Sequence, residues 1–217
     1  MRGLGSLFSL IILAALPIGL ACLWLIIRKY KFTTVWFLCS LLAGFLSVGI
    51  AYFIQSLFPA MYMETIWDLL KKIVLQTAVP EEGSRLIAAF IFFALAKRWK
   101  RLGPIETQSG GAAAGLIMGL GFALLETIAY SITNIQVTLL RAFTSSPLHA
   151  ACGVRAGMGA VSFRQRRTAS GIWNIVLAVL IHSAYNFSIV SPRAPAFLPI
   201  IIVLAGTISS LVYIRAE

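Results

Sequence analysis

Apolar runs long enough to cross a bilayer recur along most of this chain, and no other feature limits its possible folds so severely. A run of about 20 apolar residues is the mark of a transmembrane helix, because lipid requires every backbone polar group to be satisfied within the segment. About seven such spans are predicted, at 5–27, 33–57, 81–97, 111–135, 145–163, 171–190 and 196–214. The expected fold is an all-α polytopic membrane bundle, with residues 1–217 forming a single integral membrane domain. Only 12% of the 217 residues are charged, about half the share of a soluble domain.

The net charge of +11 raises the question of nucleic acid, but the basic residues sit in short loops between apolar runs. Arg28, Lys29 and Lys31 occupy the first loop. Lys97, Arg98, Lys100 and Arg101 occupy the third, and Arg164, Arg166 and Arg167 the fifth. Alternate loops are basic, as orientation by the positive-inside rule requires. This pattern predicts a multi-pass protein of the cell membrane, with its N-terminus outside and its C-terminus in the cytoplasm. Nucleic acid is not expected as a partner. The first run is too long for a signal-peptide core and is followed rather than preceded by basic residues, so it is read as a retained span. Cys22, Cys39 and Cys152 lie inside apolar runs without metal-ligand spacing and read as small buried hydrophobes.

Between the second and third spans, "METIWDLLKKIVLQTAV" places Ile66, Leu69, Leu70 and Ile73 on one helical face. Glu64, Asp68, Lys71 and Lys72 lie on the other. The stretch 63–79 is predicted to be an amphipathic interfacial helix, with a membrane-dipping extension of the third span as the alternative.

Few ionisable groups remain within the spans: Glu81, Glu82, Arg85, Glu126, His149, Arg155 and His182. Each costs upwards of about 2.5 kcal/mol at mid-membrane, so such residues turn inward and usually mark a function. With the predicted orientation, Glu81 and Glu82 lie at the outer end of the third span, and Arg85 about 6 Å deeper. Glu126 lies about 13 Å below the outer end of the fourth span and His182 about 12 Å below that of the sixth. His149 lies near the outer start of the fifth. Polar groups on four successive spans thus share the outer half of the bilayer, with Arg155 as a deeper exception of structural character.

Glu81 and Arg85 are four residues apart and pair on one helical side. Pro80 suits a first helical position, and a helix N-terminus there would favour ionised carboxylates, as a general base requires. His182 and Asn186 are likewise four apart. The imidazole can move a proton and the amide can donate to an oxyanion. Gly111, Gly115 and Gly119 on the fourth span, and Gly153 and Gly157 on the fifth, permit close helix approach.

The stretches "EEGSR" (81–85), "FALLE" (122–126), "HAACG" (149–153) and "HSAYN" (182–186) follow one another on successive spans. In this the chain resembles the PrsW intramembrane proteases, whose pattern runs EExxK, FxxxE, HxxxG and HxxxD. That superfamily also holds the CAAX prenyl endopeptidases and the Aph subunit of γ-secretase. Arg85 stands where the pattern has lysine, and Asn186 where it has aspartate, as in the prenyl endopeptidases. Those enzymes, however, carry histidine at the position of Glu126.

The resemblance implies peptide-bond hydrolysis in the membrane, with a catalytic core at 81–190. Glu81 or Glu82 would activate a water with the help of a histidine, and Arg85 would hold the acidic pair. His182 and Asn186 would stabilise the oxyanion, while Glu126 and His149 position the water or shuttle protons. No cofactor is required in this preferred version. A Zn2+ version would use Glu81, Glu126, His149 and His182. The implied substrate is a membrane protein cut near its outer boundary, the family's example being a single-span anti-sigma factor. The competing classes are a non-catalytic scaffold, against which the retained glutamates and histidines argue, and an ion transporter, whose paired halves with broken helices are not seen.

Overall fold

The computed structural model describes residues 2–98, 106–131 and 134–215. Among them there is no strand, and the helices follow in chain order. They are α1 (Arg2–Ile27), α2 (Thr34–Ser56), α3 (Ile66–Lys71), a π-helical segment (Lys72–Ala78), α4 (Val79–Arg98), α5 (Gln108–Ser131), α6 (Ile135–Phe143), α7 (Ser145–Arg164), α8 (Thr168–Val190) and α9 (Leu198–Leu211). Helices α1, α2, α5 and α8 are long and apolar enough to cross a membrane. Their outward residues, such as Leu23, Leu42, Leu180 and the α9 residue Leu204, are large, apolar and exposed, which suits a lipid surround. Helices α4 and α7 are each 20 residues long and carry most of the intramembrane polar groups. The predicted last span, 196–214, is helical over only 14 residues. At 1.5 Å per residue that is about 21 Å, short of the ~30 Å hydrocarbon core. Lys100 and Arg101 of the third basic loop lie outside the described residues.

Helix α7 stands at the centre, with α4, α5, α8 and α9 packed around it. It is buried along its length from Ser145 to Ser162, apart from Pro147. Its small residues allow this: a helix surrounded on every side has no room for long side chains. Helix α5 is buried from Gly110 to Ala123, and the two helices meet on glycine. A Cβ added at Gly111, Gly115 or Gly119 would strike the carbonyl oxygen of Gly157, Gly153 or His149, each closer than 3.0 Å. On the opposite face α5 receives α2, where a Cβ on Gly44 would strike the Met118 carbonyl.

Two expectations need correction. Residues 66–98 run as one helical path, so the extension of the third span replaces the separate interfacial helix. The path begins at Thr65, whose hydroxyl accepts from the Asp68 amide at 3.2 Å while the Asp68 carboxylate accepts from the Thr65 amide at 3.1 Å. Pro80 consequently lies inside a continuous helix and not at its start. Proline lacks an N–H and its ring crowds the carbonyl four residues earlier. The wider π turn at 72–78 lies immediately before it, where such relief is needed. Glu81 and Glu82 therefore have no free helix N-terminus beside them, and their charge must be balanced by side chains. The second correction is α6. The connection between the fourth and fifth spans folds into a nine-residue helix, whose first amides at Gln136 and Val137 are capped by the Asn134 side-chain oxygen.

Arg155 proves structural. Its Nη2 donates to the Ser209 carbonyl (2.9 Å) and hydroxyl (3.2 Å), and its guanidinium lies 5.1 Å from the Tyr213 ring centre. It ties α7 to α9. Arg155→Ala is expected to lower stability by about 1–3 kcal/mol through the orphaned carbonyl, read as a lower melting temperature in detergent. Activity per folded molecule should stay within about twofold, because the side chain bonds α9 and not the clustered acids and histidines.

Candidate active site

The start of α4, the last turns of α5, the start of α7 and the C-terminal turns of α8 converge at one end of the bundle. Glu81, Glu82, Arg85, His149 and His182 are all buried there. Glu126 completes the cluster with a side chain 20% exposed. Six of the seven candidate residues from the sequence thus lie together. The seventh, Asn186, is half-buried on α8 one turn beyond His182, and its side chain makes no hydrogen bond to the described residues.

Arg85 is the hub. One guanidinium nitrogen, Nη1, pairs with Glu82 Oε1. The other, Nη2, lies 3.4 Å from Glu81 Oε2 and 2.6 Å from His149 Nδ1. The guanidinium carbon sits 4.0 Å from the Phe122 ring centre, so the phenylalanine of "FALLE" is the platform on which this cation rests. An arginine only donates, so His149 Nδ1 must accept. The ring proton then sits on Nε2, which donates to Glu126 Oε2 at 2.5 Å.

His182 is held differently. Its Nδ1 donates to Glu82 Oε1 at 2.6 Å, which leaves Nε2 turned towards Glu81 Oε2 at 3.7 Å. The two imidazoles meet edge to face, 5.2 Å between centres. The adjacent glutamates therefore have separate jobs. Glu82 is sealed, with Oε2 buried and unpartnered, and orients both Arg85 and His182. Glu81 faces the imidazoles.

Two participants escaped the sequence reading. Arg141 of α6 pairs with Glu126 Oε2 at 2.7 Å. Gln55 of α2 approaches Glu81 Oε1 with its amide at 3.4 Å. Gln55 carried a usable signal, being a lone amide in an apolar span. Arg141 carried none, because a nine-residue helix is too short for hydropathy to tell from a loop.

The donor set fits a divalent cation. Glu81, His149 and His182 each bring one ligand atom, all within 4.8 Å of one another. Two imidazoles and a carboxylate are a common protein contribution to a catalytic zinc site. His182 also has its second nitrogen fixed by a carboxylate, as metal-binding histidines generally do. With neutral imidazoles, the three carboxylates exceed the two guanidiniums Arg85 and Arg141 by one negative charge, which favours a cation.

A family model described as PrsW family intramembrane metalloprotease matches residues 33–213. No curated protein and no solved structure gives a significant match.

Proposed function

Because the chain belongs to the PrsW family of intramembrane metalloproteases, we propose that it hydrolyses peptide bonds of single-span membrane proteins near the outer boundary of the cell membrane. Glu81, His149 and His182 are the residues that would hold a zinc-type ion. Of the two versions open to the sequence, the metal-dependent one thus takes precedence over the metal-free one. The observation that carries it is His182, whose Nδ1 is fixed by Glu82 while its Nε2 is left facing Glu81. The chemistry supplied by such an ion is polarisation of the scissile carbonyl and activation of a water.

The remaining roles belong to side chains. Glu126 takes the proton of the attacking water through Oε1, the oxygen that neither His149 nor Arg141 engages, and passes it to the leaving amine. Asn186, one turn from His182 and with no hydrogen bond among the described residues, donates to the developing oxyanion. Arg85 and Glu82 hold the histidines at fixed angles, so that no reorganisation is needed during reaction. A cluster of carboxylates and imidazoles also supplies the wet surroundings that hydrolysis inside lipid requires.

Purified protein in proteoliposomes, exhaustively chelated and assayed on a single-span reporter, is expected to lose activity by at least about 100-fold. Stoichiometric Zn2+ should restore it. Full activity in protein shown to be metal-free by elemental analysis would overturn the metal-dependent version.

A further inference from the structure

We propose that Arg141, on the short helix α6, is a positioning residue of the active site that fixes Glu126 for its part in proton transfer; this rests on the peptidase reading above. Its Nη2 bonds Glu126 Oε2 at 2.7 Å and donates to Ser145 Oγ at 3.0 Å. The guanidinium lies 4.8 Å from the Tyr130 ring centre. Three helices therefore fix this one cation: α6 carries it, α5 supplies Tyr130 and Glu126, and α7 supplies Ser145. Such multiple anchoring is unlike a loop arginine oriented to lipid headgroups.

The contact matters because of which oxygen it takes. Arg141 and the His149 Nε2 proton converge on Oε2. Oε1 makes no hydrogen bond to a described residue and is not among the sealed atoms of the site. One oxygen is pinned and the other is presented. Glu82 offers no such oxygen, being sealed, and both oxygens of Glu81 have approaching donors.

With Nδ1 accepting from Arg85, Nε2 is the nitrogen through which His149 would hold an ion. It would replace the very proton that binds Glu126. Arg141 is then the hold that remains, and without it the carboxylate at the site's most open edge would be free to rotate away. A guanidinium also held by Ser145 and Tyr130 restrains the carboxylate better than an unanchored ammonium would.

The test combines kinetics with a measurement independent of turnover. Arg141→Gln in proteoliposomes is expected to lower kcat at least about tenfold with KM within about threefold. Arg141→Lys should recover part of that loss. Carbodiimide footprinting of carboxylates, read by mass spectrometry, should show Glu126 labelled several-fold faster in Arg141→Gln, with Glu81 and Glu82 unchanged. If that variant does not fold, Ser145→Ala loosens the same guanidinium and should raise Glu126 labelling in the same selective way. Unchanged Glu126 labelling in the folded variant, or increases spread over all three acids, overturns the proposal even if the protein is a protease. Selective Glu126 labelling in a protein that cleaves nothing would instead support the positioning role and count against the peptidase reading.

Discussion

Glu81→Gln is expected to reduce cleavage of a membrane reporter by about 10^3-fold or more while the protein still folds, whereas Glu82→Gln is expected to damage the fold itself. The two residues are neighbours of identical chemistry, so the contrast tests the division of labour directly. Glu81 lies 3.4 Å from Arg85 and 3.7 Å from His182, contacts loose enough for an amide of the same shape to survive. What glutamine removes there is the anionic member of the set that would hold the ion beside the two imidazoles, and losses of about 10^3 or more are expected where such residues act as a unit. Glu82 is fully buried and bonds both Arg85 and His182 through one oxygen. Neutralising it leaves the buried Arg85 short of its closest counter-charge, and breaking a buried pair costs about 3–5 kcal/mol. Melting temperature in detergent and reporter cleavage, measured on both variants, separate the effects. Cleavage by Glu81→Gln above one-tenth of the wild-type rate would remove Glu81 from the catalytic set.

The second large effect is steric. Gly115→Ala would set a methyl group on the Gly153 carbonyl oxygen, and Gly119→Ala would set one on that of His149. Those are backbone atoms of the central helix and have no flexible end to move aside. Overpacking of a tight interface costs about 1–3 kcal/mol, and here the interface is also the ruler of the site. Glu126 on α5 and His149 on α7 face each other across it at 2.5 Å, so a shift of a few tenths of an ångström alters their contact. Both variants should melt earlier and lose activity about tenfold or more, since a misplacement of the order of 1 Å can cost about 10^2-fold. Gly49→Ala is the control, because a Cβ there meets nothing within 4 Å and alanine is the better helix former by about 1 kcal/mol. Gly115→Ala behaving like Gly49→Ala would show that the α5–α7 contact has slack.

Much of this was legible beforehand. The motif glycines of α5 and α7 pointed to close approach because small residues at i, i+4 leave a flat helix face, and that face is where the helices meet. Arg155 stood apart from the other polar groups by depth and is bonded away from the site, on α9. The failures have equally definite causes. The stretch 63–79 shows an amphipathic period in either of its two arrangements, so pattern alone left open whether it joined α4. Helix α6 is nine residues long, below the window at which hydropathy separates a helix from a loop.

Chain order and hydropathy by themselves determined a helical membrane bundle, and they gave each polar residue an expected position along its helix, because that position is residue count multiplied by a fixed rise of 1.5 Å. They did not determine which way each residue faces around its helix relative to residues on other helices. Successive residues turn by about 100°, and the angle at which one helix is presented to the next is fixed only by packing, here by glycines seated on carbonyls. That angle decided that Glu82 reaches His182, that Arg85 reaches His149, and that Arg141 reaches Glu126.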